Sequence, residues 1–113
     1  MPFFSTLFGS KVSKSSAIKI LTAEEFKSKI ENRNVQLVDV RTPAEFKSGH
    51  LKGAKNIDFF SGKFKMSFNK FKKQEAVYVY CRSGSRSRQA AKRLEALGFN
   101  EIYDLKGGIL KYR

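Results

Sequence analysis

The sequence predicts an α/β domain of three layers, in which helices cover both faces of a five-stranded, mostly parallel sheet. From residue 17 onwards, short apolar segments alternate with segments of helical periodicity, which is the pattern of a parallel sheet joined by helices. The apolar segments contain few polar residues, as expected of strands that are buried on both faces. The chain has 113 residues, of which 41% are hydrophobic, and this suits one small globular domain.

The five predicted strands are short and cover residues 17–20, 35–40, 54–57, 77–80 and 102–105. The fourth strand alternates valine with tyrosine, and both residue types favour strands. We expect its tyrosines, Tyr78 and Tyr80, to pack in the core rather than to bind a ligand.

Two capping boxes predict where the first two helices begin. Thr22 is followed three residues later by Glu25, and Thr42 is followed in the same way by Glu45. In this arrangement the side chain of each residue caps a free backbone N–H of the other. Pro43 occupies the first helical position after Thr42, where the N–H that proline lacks would be unpaired in any case.

Three further helices are predicted. The clearest covers residues 88–97, is rich in Ala, Leu and Arg, and ends at Gly98. A helix over residues 59–71 would turn its phenylalanines inward and its lysines outward. A last helix begins at Ile109, close to the end of the chain.

The chain is strongly basic, with 23 Lys and Arg against 10 Asp and Glu and a formal net charge of +13. Such a charge favours anionic partners: small oxyanions, acidic proteins, RNA or anionic membranes. Most lysines are scattered and are expected to form a solvated surface, so nucleic-acid binding is not favoured. The lysines of residues 63–73 are interleaved with Phe and Met, which leaves open a basic docking patch for an acidic protein.

Residues 1–16 are predicted to form an N-terminal tail, and residues 17–113 the domain. The tail contains Phe3, Phe4, Leu7 and Phe8, but it lacks the features of a signal peptide, and a weak membrane-surface anchor is the alternative to a mobile or docked tail. No apolar run is long enough to span a membrane. One cysteine cannot form an intramolecular disulfide, so the sequence favours a reducing compartment and a cytoplasmic protein.

The candidate reactive group is Cys81, the only cysteine, which ends the fourth strand. A polar loop follows it, and then the clearest helix begins. Loop N–H groups and the positive end of a helix dipole stabilise negative charge, and the thiolate is the nucleophilic form of cysteine. The loop residues are expected to bind an anionic substrate; they are Arg82, Ser83, Gly84, Ser85 and Arg86. A small, buried structural cysteine is the alternative, but that role would not require two neighbouring arginines.

Polar residues also lie at the end of the second strand, at the edge of the sheet where Cys81 lies. Asp39 and Arg41 are expected to support the rim of the site, with an ion pair between Arg41 and Glu45. His50 is the only histidine, and a structural hydrogen bond is the favoured interpretation of it. One histidine and one cysteine do not provide a metal site, and the predicted chemistry requires no cofactor. Ser87 is expected to serve as a helix-start residue.

Four segments, in this order, resemble the rhodanese family of sulfurtransferases. They are residues 37–46 (LVDVRTPAEF), 49–57 (GHLKGAKNI), 80–87 (YCRSGSRS) and 105–109 (LKGGI). The resemblance covers the chain from Ile18 to the C-terminus. It departs from the family near the end, where Tyr112 occupies a position at which the family usually has tryptophan.

The resemblance implies that Cys81 carries a persulfide, and that the N–H groups of residues 81–86 point into a semicircular loop. The implied reaction moves sulfane sulfur from a small anionic donor such as thiosulfate to a thiol or cyanide acceptor. Related cysteine phosphatases place an arginine where this chain has Ser87, whereas here Arg86 comes one residue earlier. The shorter loop favours sulfur transfer over phosphate chemistry. A sulfur relay between proteins and a binding module with little activity remain the alternatives.

Overall fold

The structure is a computed structural model that describes residues 16–112. Its sheet contains β1 (Ile18–Leu21), β2 (Gln36–Asp39), β3 (Lys55–Asn56), β4 (Val77–Tyr80) and β5 (Ile102–Leu105). The strands are arranged in the order β1-β5-β4-β2-β3, and every neighbouring pair is parallel. The predicted α/β class and the five-stranded sheet are confirmed. The predicted N-terminal tail lies almost entirely outside the described residues.

Within residues 16–112, the α-helices are α1 (Ala23–Ile30), α2 (Pro43–Lys47) and α3 (Ser85–Ala96). Both predicted capping boxes are present, with side-chain and backbone hydrogen bonds in each direction. These caps satisfy N–H groups that have no partner within the helix, and they fix where each helix leaves the sheet edge. Helix α3 begins at Ser85, which is earlier than the predicted start at residue 88.

Two hydrophobic clusters confirm the three-layer arrangement. One face of the sheet packs against α3 through Val38, Val79 and Leu94, together with the aromatic residues of the long connection before β4. The other face packs against α1, where Phe26 meets Tyr78 edge to face. Because successive side chains of a strand point to opposite faces, β1, β2, β4 and β5 each contribute to both clusters.

The prediction of a helix over residues 59–71 is wrong. That segment is a series of turns with one short 3₁₀ helix, Met66–Phe68. Asp58 and Ser61 side chains accept hydrogen bonds from backbone N–H groups two residues further on, and such local bonds compete with a helix. The inward placement of the aromatic rings is correct for the three that are buried: Phe59, Phe64 and Phe68.

The predicted last helix is also shorter than expected, since only a 3₁₀ helix, Ile109–Lys111, is present. The N–H groups of Ile109 and Leu110 bond to the carbonyl oxygens of Cys81 and Arg82 across the molecule. This segment therefore supports the loop after β4. Within residues 16–112, no helix has the length and apolar character needed to cross a bilayer.

Candidate active site

Cys81 lies at the carboxyl edge of the sheet, in the loop between β4 and α3. The chain just after β2 lies beside Cys81: the Val40 N–H donates to the carbonyl oxygen of Tyr80, the residue before Cys81, at 3.0 Å. Cys81 is 1% exposed and packs within the hydrophobic cluster on the α3 side of the sheet. Its position is that of ligand sites in parallel α/β sheets, outside the carboxyl ends of the strands.

Backbone N–H groups from the start of α3 donate to the sulfur of Cys81. Gly84 N–H donates to Sγ at 3.1 Å and Ser87 N–H at 3.3 Å, and both come from the start of α3. Gly84 has φ +112°, a left-handed conformation that glycine adopts at little cost. Because these N–H groups are fixed by the helix and buried from water, they are suited to stabilise negative charge on the sulfur.

The outer side of the loop is held by the 3₁₀ helix after β5. The carbonyl oxygen of Cys81 accepts from Ile109 N–H at 2.9 Å, and that of Arg82 from Leu110 N–H at 3.2 Å. In a planar trans peptide the N–H points away from the carbonyl oxygen. The N–H groups of Arg82 and Ser83 therefore point away from this supporting segment. The glycine pair 107–108 lets the segment approach so closely that a Cβ on Gly108 would lie 2.3 Å from the Arg82 oxygen.

Arg86 and Glu45 form an ion pair between α3 and α2. Their two N···O distances are 2.7 and 3.0 Å, so the contact is bidentate. The Arg86 guanidinium lowers the pKa of Glu45 to about 2, and the Glu45 carboxylate in turn raises the pKa of Arg86. The Glu45 carboxylate therefore neutralises most of the positive charge of Arg86.

The rim of the site is fixed by a second, buried ion pair between Asp39 and Arg41. Arg41 Nε and Nη2 reach the Asp39 carboxylate at 2.7–3.0 Å, and Nη2 also donates to the carbonyl oxygen of Gly49 at 2.7 Å. The prediction of an ion pair between Arg41 and Glu45 is wrong, because Arg41 pairs with Asp39 and Glu45 pairs with Arg86. Asn56 donates to the carbonyl oxygens of Asp39 and Arg41 and ties this turn to β3.

The comparison with known families identifies this arrangement. The model of the rhodanese-like domain matches residues 22–113. The chain belongs to this family. It is 40% identical over 110 residues to the uncharacterized protein YqhL of Bacillus subtilis, covering 97% of this chain and 84% of that protein.

Two further similarities agree with this assignment. A protein of Allochromatium vinosum named sulfurtransferase is 37% identical over 82 residues, covering 73% of this chain and 75% of that protein. The crystal structure of a rhodanese-like domain protein from Staphylococcus aureus has a TM-score of 0.74 at 34% identity, covering 84% of this chain and 91% of that chain. The chain is thus a small rhodanese-like domain of a sulfur-transfer family.

The rhodanese-like site contains two residues whose connection to Cys81 was not foreseen from the sequence. Ser87 Oγ lies 3.5 Å from Cys81 Sγ and donates to Asp104 Oδ1 at 2.6 Å. Asp104 comes from β5, is fully buried, and has its pKa raised to about 6 by that burial. The available signal was an aspartate inside a predicted buried strand, where a carboxylate requires a partner.

The remaining candidate has a structural position. His50 Nδ1 lies 2.9 Å from the Phe46 carbonyl oxygen, and the two rings stack with centroids 3.6 Å apart. This agrees with the expected structural hydrogen bond. Among residues 16–112, no group of three or more His, Cys, Asp or Glu side chains is placed to hold a metal ion.

Proposed function

We propose that this rhodanese-like protein is a sulfurtransferase that carries sulfane sulfur as a persulfide on Cys81, with thiosulfate as a donor. The observation that carries the proposal is the position of the Cys81 sulfur. It is buried at the start of α3 and accepts hydrogen bonds from the N–H groups of Gly84 and Ser87. Such a pocket favours a sulfur anion, either as the thiolate or as the persulfide.

The proposed reaction has two covalent steps. In the first, the Cys81 thiolate attacks the outer sulfur of thiosulfate, a new S–S bond forms, and sulfite leaves with the electron pair of the broken bond. In the second, a thiolate or cyanide attacks the outer sulfur of the persulfide, and the Cys81 thiolate is regenerated. The total charge is conserved in each step, and neither requires a further oxidant or cofactor. The sequence is ping-pong covalent catalysis.

The loop residues have distinct proposed roles. The exposed Arg82 guanidinium draws the sulfonate of the donor toward the loop, and the hydroxyl groups of Ser83 and Ser85 add hydrogen bonds at its mouth. Arg86 contributes less to donor binding than its sequence position suggests, because Glu45 already neutralises its charge. Its proposed role is to hold the start of α3 in place. Asp39, Arg41 and Glu45 support the pocket without touching the sulfur.

A sulfur relay between proteins is the second candidate function, and the surface before β4 favours it. Phe60 and Met66 are 68% and 62% exposed, in a segment rich in lysine. The backbone of Phe59 bonds to Val40 at 3.1 Å, which attaches this segment to the edge of the sheet where the site lies. An acidic protein that donates or accepts persulfide sulfur would complement such a surface. A thiol that works only when reduced suits the cytoplasm.

Steady-state transfer from thiosulfate to cyanide, with thiocyanate as the measured product, tests the first function. We expect parallel double-reciprocal lines as the second substrate is varied, and no product from Cys81→Ser. A wild-type protein that is inactive with thiosulfate but turns over with a protein persulfide donor would support the relay instead. Inactivity with both donors would refute sulfur transfer by this site.

A further inference from the structure

Asp104 is a buried carboxylate that the sulfur-transfer chemistry does not use. It lies in β5 between the neighbouring strands β1 and β4, in register with the apolar Ile20 and Val79. Its side chain is fully buried. Within residues 16–112, its Oδ2 atom has no hydrogen-bond partner, and the Arg88 Nε atom lies 3.8 Å from it. A buried carboxylate with one unpartnered oxygen is costly in its charged form, and this cost favours uptake of a proton.

The Ser87 hydroxyl connects this carboxylate to Cys81. A serine hydroxyl has one proton to donate and lone pairs to accept with. Ser87 Oγ also lies 3.3 Å from the Gly84 carbonyl oxygen, but its contact with Asp104 Oδ1, at 2.6 Å, is the shortest, so we place the hydroxyl proton on the Asp104 side. The oxygen is then an acceptor for the Cys81 thiol, at an S···O distance of 3.5 Å. The three side chains form a continuous hydrogen-bonded path from the sulfur to the carboxylate.

We propose that Asp104, acting through the Ser87 hydroxyl, holds the proton that Cys81 gives up when its thiol becomes the thiolate. Asp104 is a positioning residue in this scheme, because it never touches the sulfur. The role rests on the proposed chemistry of Cys81, although the test below does not require any sulfur transfer.

The proton movement is balanced. The S–H bond of Cys81 breaks as its proton moves to Ser87 Oγ, while the original hydroxyl proton moves to Asp104 Oδ1. The serine remains neutral, and the pair of Cys81 and Asp104 has one negative charge before and after the transfer. When Asp104 is protonated, the Ser87 hydroxyl is free to donate to the sulfur, so the thiolate or persulfide gains a hydrogen bond. The apolar strands around Asp104 also favour its protonated form, because burial disfavours the charged carboxylate.

Other charged groups of the described residues lie near this path, and several of them are paired. Arg88 of α3 approaches Asp104 but is half exposed, so its influence is screened by water. Arg86 faces Cys81 from α3 but is held by Glu45 of α2. On the β2 side, the charged groups are the buried pair of Asp39 and Arg41. These pairs leave Asp104 as the carboxylate that is connected to the sulfur by hydrogen bonds.

The pH dependence of Cys81 alkylation by iodoacetamide tests the proposal. If the two groups share a proton, the rate of the wild-type protein rises in two steps with pH, since the pair titrates as one coupled unit. Asp104→Asn is expected to give a single step. Ser87→Ala removes a hydrogen bond to a charged group, so the alkylation rate reached in the step at lower pH should fall about tenfold. Glu24→Gln removes an exposed carboxylate and is expected to keep the wild-type profile.

A single step in the wild-type protein, at the same pH as in Asp104→Asn, would overturn the proposal. If Asp104→Asn does not fold, Ser87→Ala alone decides, because an unchanged lower step in that variant would also overturn it. The test is independent of the proposed function. A two-step profile in a protein that accepts no sulfur would retain the proton path and reject the sulfurtransferase.

Discussion

Gly108 is the position where one methyl group should disrupt the loop that follows Cys81. Its backbone has φ +66° and ψ −166°, a region occupied almost only by glycine. A Cβ added there would lie 2.3 Å from the Arg82 carbonyl oxygen and 2.6 Å from the Ser83 nitrogen. Both atoms belong to the backbone of the loop, so no side-chain rotation can make room. In Gly108→Ala, either the loop or the turn after β5 must move.

Backbone strain and overpacking each cost about 1–3 kcal/mol, so we expect Gly108→Ala to destabilise the domain by about 3 kcal/mol. For a domain of this size, that corresponds to a fall of about 10 °C in melting temperature. A displacement of the loop N–H groups by about 1 Å would lower the rate of sulfur loading about 100-fold. Thermal unfolding and the rate of persulfide formation from thiosulfate are the two assays.

Two glycine variants serve as controls. Gly62→Ala has no atom within 4 Å of its added Cβ and should behave as the wild type. Gly107→Ala shares a positive φ of +76°, but its Cβ meets the exposed side chain of Lys111 instead of the loop. We expect Gly107→Ala to lose stability but to load sulfur faster than Gly108→Ala. Equal loading by Gly108→Ala and Gly62→Ala would refute the claim that the turn holds the loop.

Three further substitutions test the ion pairs and the buried carboxylate. Glu45→Gln should lower the free energy of unfolding at pH 7 by about 1–2 kcal/mol, because the Arg86 guanidinium loses its partner. Since the pKa of Glu45 is lowered from 4.5 to about 2, this difference should shrink as the pH falls from 4.5 to 2; a constant difference in urea titrations would contradict the pair. Arg41→Lys should cost about 2–3 kcal/mol in the same titrations, because lysine cannot reproduce the buried fork on Asp39; wild-type stability would show that the fork is dispensable. Burial raises the pKa of Asp104 from 3.8 to about 6, so the wild type should lose roughly 2 kcal/mol between pH 4 and pH 7 that Asp104→Asn does not lose. Parallel stability curves for the two proteins would contradict this burial cost.

The sheet and the starts of α1 and α2 were predictable because their signals are local. Capping boxes and short apolar strands specify local conformations that the rest of the fold does not override. The turns of segment 59–71 were not predictable from periodicity, because the spacing of its lysines and phenylalanines is also that of an amphipathic helix. Its turns result from rings that pack against one another and from side chains that bond to nearby N–H groups, as at Asp58.

The candidate site shows the same division. Cys81 and its loop were recognisable as a candidate, since a cysteine followed by arginine, serine and glycine forms one continuous motif. The partners of Arg41 and Arg86 were not, because two arginines and two carboxylates near one sheet edge permit more than one pairing. Asp104 was missed for a different reason. It is far from Cys81 in sequence, and only the order of the strands brings β5 beside β4.

The intact mass of the protein after incubation with thiosulfate, measured under non-reducing conditions, is the most direct test of the central claim that Cys81 carries sulfur. We predict that the wild type gains the mass of one sulfur atom, that cyanide removes it, and that Cys81→Ser gains nothing. A gain that persists in Cys81→Ser, or its absence from the wild type with thiosulfate and with protein persulfide donors alike, would contradict the claim.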